Sequence, residues 1–476
     1  MKGAGLCHSL LSFCLEKMRK YTCDNRINRT YEDFDEHSFI LKQILHNVFE
    51  EEVWVSINEE SEDIQSLNEL AVPTRVAKLN ILTRRMLDYD QSFFSEASEH
   101  RPEGYRPYFY SFIIYMDSQS DLNSYDKLRE MGEKWFIASF SGNPFSGWHE
   151  YQGEIESSAS PVTYRKHRLY ISDTELDRTT KAEIDKTYTI APSSHDFLVA
   201  DHIKTLLDNV RFTASRVYCV GNANLIRLSG NSPSGTFHAL YDVGYHHKQY
   251  PDETRMKYGA AVRDFKKVVP NVVFLSHWDD DHIMGCVYGC HELFDCPWFA
   301  PEITKTNAVN AKRLAAYLTS KNKLTIIERN RAARKLADIM TPHSAISFYL
   351  GENVSKNPIS KENCGGMVIE IKNRSHGDFV ESLFCGDVPY EAVKTVIWNL
   401  RNIGYDYLLV PHHGSNMNYR SLKVKKNAAA VVCGNGGPRR PDGTHRNALE
   451  AGGKGYRVRV TEDSPQSWID LNLECK

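Results

Sequence analysis

Between positions 277 and 282 the chain reads His-Trp-Asp-Asp-Asp-His, directly after the apolar run Val272–Ser276. His277, Asp279, Asp281 and His282 are all metal-competent, and a turn at the end of a strand can aim several such side chains at one point. Carboxylates crowded in that way are costly unless a cation neutralises them. Three more apolar runs end in the same manner. Leu383–Asp387 closes on Gly-Asp, Tyr407–Ser415 closes on His412-His413-Gly-Ser, and Ala429–Asn435 opens into a Gly/Pro/Arg loop that holds His445. One His or Asp at a strand end is usually a cap or a surface residue. Four in succession read as ligands gathered above the carboxyl ends of a sheet.

The elements that must carry these residues can be read from the pattern around them. A helix over 196–209 leads into short β-branched and aromatic runs at 216–221, 224–228 and 236–244, broken by Gly, Asn, Ser and Pro. A helix over 255–268 and a buried strand over 272–276 follow. The front of the chain has a different texture. Residues 1–50 and 60–95 read as helical, the latter with Ile64, Leu67 and Leu70, then Val76, Leu79, Leu82 and Met86. Tyr108–Tyr115 and Trp135–Phe140 read as strands with a helix between them, and 141–195 as short strands and turns. Two domains are therefore expected, 1–195 without recognisable chemistry and 196–476 with the metal residues.

The chain has 476 residues, 41% apolar and 25% charged, which is ordinary for a globular protein of two or three domains. No apolar run approaches the roughly 20 residues of a membrane-spanning helix, and the short apolar stretch at Met1–Phe13, broken by His8, reads as a first helix rather than a secretory signal. Eleven scattered cysteines suggest reduced thiols and a cytoplasmic protein. Cys286, Cys290 and Cys296 lie close together, but their spacing fits no familiar zinc module.

The net charge of −3 conceals an asymmetry. Residues 1–200 carry 22 Lys and Arg against 33 Asp and Glu, and residues 201–476 carry 36 against 28. A basic catalytic half suits a polyanionic substrate. The densest basic run, Lys305 to Lys335, is either a helical track for a nucleic-acid backbone or a solvated face. Trp278, inside the metal loop, is either a stacking platform for a base or a packing residue.

Taken as a set, these motifs resemble the metallo-β-lactamase superfamily, whose leading motif is His-x-His/Asp-x-Asp-His. More closely, they resemble the hydrolase domain of the DNA-uptake competence family ComEC, over roughly residues 215–470. The first-motif variant with Asp, the Gly-Asp strand end, the His-His-Gly-Ser turn and the later Gly-Asn…His loop occur in that family's order. The family's glycine-rich opening is degraded here to Val220–Asn224, its second half persists at Tyr241–Gly244, and the late His-Pro is His445-Arg446. The resemblance implies an α/β, four-layer αββα metallo-β-lactamase fold after an α+β front region. It implies two divalent metal ions, with His277 and Asp279 on one, Asp281 and His282 on the other, and Asp387 between them. His412 and His445 are the remaining ligand candidates, and Asp242 holds the ligands rather than the metal. The segment Glu362–Gly366 lacks the histidine usual at that place. Oxygen-rich donors tilt the choice from zinc (Zn²⁺) towards manganese (Mn²⁺).

Two ions about 3.5–4 Å apart can clamp a phosphoryl oxygen and activate water. The expected activity is phosphodiester hydrolysis, with DNA as the substrate of a nuclease. Asp281 would orient the nucleophile, His413 would donate a proton to the leaving oxygen, and Ser415, Arg439 and Arg440 would hold a phosphate. A small cyclic-nucleotide phosphodiesterase is the alternative, as is an effector whose front region binds a controlling protein partner. No membrane partner is expected.

Overall fold

The computed structural model describes residues 52–58, 75–94, 107, 109–116, 128, 134–140, 147–157, 166–190, 196–221, 223–245, 253–287, 290–304, 308–329, 332–352, 363–375, 378–414, 422–423, 425, 428–434, 456–461 and 463–474. Among these, no helix is long and apolar enough to cross a membrane. The helices expected over 1–50 and 117–133 lie outside the described residues, apart from Leu128, as does 60–74.

Six strands of the front region close into an antiparallel barrel. They are β1 (Val53–Asn58), β2 (Arg75–Thr83), β3 (Tyr110–Met116), β4 (Phe136–Ser139), β5 (Trp148–Ser157) and β6 (Lys166–Glu175), in the order β1-β2-β3-β5-β6-β4. Burial is continuous over Val53–Ser56, Leu79–Thr83 and Leu169–Ser172, so it is the pairing between neighbours that marks them as strands. The helical reading of 76–83 is therefore corrected. Val76, Leu79 and Leu82 happen to fall at helical spacing, but the segment pairs with β1 on one side and β3 on the other. The helix α1 starts only at Arg84 and runs to Phe94, where Thr83 Oγ1 accepts from the Met86 N–H at 3.2 Å. The strands expected within 141–195 are β5 and β6, ten residues each, whereas the helix α2 (Arg178–Tyr188) was not expected, because its charged and Thr-rich sequence carries little apolar signal. Asp177 caps α2 by accepting from Thr179 N–H at 2.9 Å and Thr180 N–H at 3.0 Å.

The rest of the chain opens with α3 (Asp196–Leu206) and builds two seven-stranded sheets. The first contains β7 (Arg211–Tyr218), β8 (Leu225–Ser232), β9 (Gly235–Val243), β10 (Val272–Phe274), β11 (Trp298–Pro301) and β12 (Leu324–Ile327). The second contains β13 (Arg334–Met340), β14 (Ser344–Leu350), β15 (Met367–Ser375), β16 (Asp378–Phe384), β17 (Tyr407–Leu409), β18 (Ala429–Val432) and β19 (Arg457–Val460) in simple sequence. The last strand, β20 (Trp468–Asn472), returns to the first sheet beside β7. Strands β9 to β12 are parallel, joined by crossovers through α4 (Glu253–Phe265), α5 (Asp280–Val287) and α6 (Val309–Ser320). Strands β16 to β19 are also parallel, with the short helices α7 (Tyr390–Val393) and α8 (Asn399–Asn402) between β16 and β17.

Period-two alternation sorts the side chains into layers. Val272 and Phe274 enter the core between the sheets, and Val273 and Leu275 enter the core beneath α4, α5 and α6. On the other sheet Leu409 and Val431 face inward, while Leu408, Ala430 and Val432 pack under α7 and α8. The result is four layers, helix–sheet–sheet–helix, as expected for 196–476. Helix α3 closes one side of the sandwich with Val199, Ile203 and Leu207 in the central core. Barrel and sandwich both fall within one compact unit, residues 47–476.

Phe274 ties the two sheets, with its ring centroid 5.6 Å from Phe299 on its own sheet and 4.8 Å from Phe348 on the facing one. Phe274→Ala is expected to cost about 3–5 kcal/mol through lost contact and the cavity left behind. In urea the unfolding midpoint should fall with little change in slope.

Candidate metal centre

The metal-competent residues stand at the carboxyl ends of parallel strands, where an α/β sheet leaves a crevice. Asp242 ends β9, His277 and Asp279 follow β10, Asp387 follows β16, and His412 and His413 follow β17. Asp281 and His282 lie one step further, in the first turn of α5, so the motif read as a loop is half helix. Two glycines let that turn approach β9. A Cβ on Gly244 would lie 1.7 Å from the Asp281 carbonyl oxygen, and one on Gly285 would lie 2.6 Å from that of Val243. Gly386, with φ 55°, sits where a Cβ would meet Ser276 at 2.5 Å.

Asp281, His282, Asp387 and His413 bring one ligand atom each within 4.8 Å of one another. His413 Nε2 lies 2.9 Å from Asp281 Oδ2, and His282 Nε2 lies 3.2 Å from Asp387 Oδ1. Beside them, His277 Nε2 lies 3.0 Å from Asp279 Oδ2. Asp281 keeps 24% of its side chain exposed, whereas His277 and His282 are fully buried.

Asp242 fixes which face of each ring looks into the site. Its Oδ1 accepts from the Ser276 N–H at 2.6 Å, and its Oδ2 accepts from Ser276 Oγ at 2.8 Å and His282 Nδ1 at 2.8 Å. Ser276 Oγ, its proton given to Asp242, accepts from His277 Nδ1 at 2.9 Å. Both histidines therefore use Nδ1 as a donor and turn Nε2 towards the carboxylates. Those two Nε2 atoms are buried with no hydrogen-bond partner. Orphaned imidazole nitrogens beside paired carboxylates are the donor set that a divalent cation takes, so the residues fit a metal ion.

The charge balance supports the same conclusion. Burial opposes the charge of His282, yet Asp387, Asp242 and Asp281 together hold its pKa well above the ordinary histidine value. Burial likewise pushes the Asp281 and Asp387 carboxyls up, but His282 and His413 outweigh it and keep both below the usual range. The surrounding carboxylates thus favour a positive charge at His282, either as a proton or as a cation.

Three residues here hold left-handed backbone without being glycine: Asp242 at φ 59°, His412 at 47° and His413 at 50°. Each such conformation costs on the order of 1–3 kcal/mol and is retained where a side chain must be aimed. At the His-His pair the two rings take different places. It is His413, read from sequence as a proton donor, that joins the cluster. His412, read as a ligand, keeps its Nε2 3.8 Å from Asp387 Oδ2 and 18% of its side chain exposed. His445, Ser415, Arg439 and Arg440 lie outside the described residues.

Other sequence readings resolve plainly. Trp278 is fully buried and donates from Nε1 to Pro301 O at 2.7 Å, so it packs and does not stack on a base. Arg313, within the basic run, is also fully buried and pairs with Asp90 at 2.6 Å. Lys321 pairs with Asp295 at 2.7 Å and Lys335 with Asp338 at 2.9 Å, while β12 and β13 interrupt the run, so it is not a single helical face. Cys286, Cys290 and Cys296 are buried free thiols, and burial raises the Cys296 thiol to about 11. Two supporting residues were not singled out from sequence. Ser276 immediately precedes the motif, and Asn224 ends the degraded glycine-rich opening. Asn224 donates from Nδ2 to Asp387 Oδ1 at 3.2 Å, and its backbone N–H donates to Asp281 O at 3.2 Å.

No family model matches this chain, and no curated protein matches it. Solved structures similar to it include MEM-A1, a subclass B3 metallo-β-lactamase from a soil metagenome library. That match has 10% identity and a TM-score of 0.22, and covers 41% of this chain and 79% of that one. BJP-1, a subclass B3 metallo-β-lactamase of Bradyrhizobium japonicum, shows 14% identity, coverage of 44% and 86%, and a TM-score of 0.22. CmlA, a diiron β-hydroxylase from Streptomyces venezuelae, shows 10% identity, 55% coverage of each chain and a TM-score of 0.31. Residues 196–476 form a four-layer αββα sandwich.

Asp242→Asn keeps the shape of the residue but removes the charge that orients His282. Metal affinity should fall about 10–100-fold, measured by competition with a chromophoric chelator. Because the surrounding carboxylates raise the pKa of His282, a cation competes with a proton there. Metal binding should therefore release protons near neutral pH, and affinity should rise with pH, as read by calorimetry in buffers of different ionisation enthalpy.

Proposed function

We propose that this protein is a metal-dependent hydrolase of phosphodiester bonds, acting on DNA as a nuclease through a dinuclear centre. The observation that carries the reading is the buried group of Asp281, His282, Asp387 and His413, with its unpartnered imidazole nitrogen at His282 and the adjoining His277–Asp279 pair. His277 and Asp279 would hold one ion, and Asp281, His282 and His413 the other, with Asp387 between them. Divalent cations held there supply Lewis acidity towards a phosphoryl oxygen and lower the pKa of water towards neutrality. Zinc and manganese both suit the mixed imidazole and carboxylate donors.

The chain's own residues do the rest. Asp281, the most exposed of the four, accepts a hydrogen bond from the incoming water and orients it. His413 holds Asp281 from its buried side. His412, partly open to solvent, takes over proton donation to the leaving oxygen, because His413 is committed to the cluster. Gly414 at φ 81° continues the left-handed turn that presents both rings.

The choice of a phosphodiester rests on the motif set. The His-His-Gly-Ser turn and the Gly-Asn…His loop resemble the ComEC hydrolase domain, and the excess of Lys and Arg after residue 200 suits a polyanion.

The test is cleavage of single- and double-stranded DNA and of bis-p-nitrophenyl phosphate with Mn²⁺, Mg²⁺ or Zn²⁺, beside Asp281→Ala. Metal-dependent DNA cutting that falls at least about 10³-fold in the variant is the expected outcome. Cleavage of the small diester alone would move the reading to a cyclic-nucleotide phosphodiesterase. No cleavage of any phosphodiester with any of the three metals would overturn it.

A further inference from the structure

The middle aspartate of the Asp279-Asp280-Asp281 triplet does not serve the cluster. Asp280 is 6% exposed at its side chain and forms an ion pair with Lys78, itself 14% exposed, on β2 of the barrel. The sequence separation is 202 residues, so the pair spans the two parts of the fold. Strand alternation explains the reach. Leu79 and Ile81 occupy one face of β2, while Lys78 and Asn80 share the other. Asn80 Oδ1 accepts from Asn310 Nδ2 of α6 at 3.3 Å, so this face is laid against the helical layer that carries the metal motif.

The electrostatic consequence is direct. Asp279 lies against His277 and Asp281 against His413, so the two flanking carboxylates face the site. A buried carboxylate between them with no countercharge would seek water or the cationic cluster, and either movement drags its neighbours out of place.

We propose that Lys78 is a positioning residue for the metal centre. By neutralising Asp280 from the barrel side, it keeps Asp279 and Asp281 turned towards the metal ions, and it makes the barrel part of the site's support. This rests on the metal-centre reading above.

The test is the affinity of the metal-free full-length protein for Mn²⁺ and Zn²⁺, by competition with a chromophoric chelator. Lys78→Met, Lys78→Arg and the double variant Lys78→Met/Asp280→Asn are compared, with far-ultraviolet circular dichroism as the check on folding. Lys78→Met should bind metal about tenfold more weakly or worse, and Lys78→Arg should retain most of the affinity. The double variant, which leaves no unpaired buried charge, should return to within about threefold of wild type. If Lys78→Met does not fold, the double variant decides alone, because it removes both charges at once. Wild-type affinity in a folded Lys78→Met, or a double variant that remains tenfold weak, overturns the proposal while leaving the metal centre intact. Absence of metal binding by the wild type overturns both.

Discussion

The structure of the site depends on the hydrogen bonds around Asp242 and Ser276. Asp242 is fully buried in a left-handed conformation, and its two oxygens reach Ser276 and His282 at 2.6–2.8 Å. Ser276 passes the same constraint to His277. A single carboxylate thus sets the orientation of two imidazoles and turns their Nε2 atoms towards Asp279 and Asp387. An amide in its place could not accept at both oxygens, and a residue with a rigid, right-handed backbone preference could not bring the carboxylate under both rings. The strain at Asp242 and at the His412-His413 pair is therefore the structural cost of converging side chains from both sheets on one point.

Electrostatics then explains why the site suits cations. Asp242, Asp387 and Asp281 surround His282 with more negative charge than burial tolerates, and the ring answers by holding its proton far above its ordinary range. Divalent ions at the same positions satisfy the carboxylates more fully and release the proton. The glycines serve the same convergence. Gly244 and Gly386 occupy places where any side chain would strike the Asp281 carbonyl or Ser276, so the backbone itself comes close enough for short side chains to meet.

Much of this was legible in the sequence, and particular residues show where legibility ended. The apolar run into His277–His282 and the Gly-Asp and His-His turns placed metal-competent residues at strand ends, because alternation and turn residues are local signals. Which of His412 and His413 joins the four-residue cluster was not a local question. It depends on two successive left-handed residues whose ring directions follow from the backbone turn, and no spacing rule distinguishes adjacent histidines. Arg313 illustrates the same limit. Within a basic run it reads as surface charge, yet its partner Asp90 lies 223 residues away. Leu79 and Leu82 suit a helix by spacing, and only pairing with β1 and β3 makes their segment a strand.

That buried pair also bears on what the front region is. Asp90 and Arg313 are both fully excluded from solvent, and Asp90 also accepts from Tyr188 at 2.6 Å, so α1, α2 and α6 meet in one charged knot. Separating the barrel from the sandwich would expose or orphan both charges, and removing one partner of such a pair typically costs 3–5 kcal/mol. Phe93 and Phe109 reinforce the junction by entering the same apolar core as Trp278 and Tyr317, directly behind the metal motif. Asp90, Phe93 and Phe109 of the front region are thus built into the helical layer that carries Asp281 and His282.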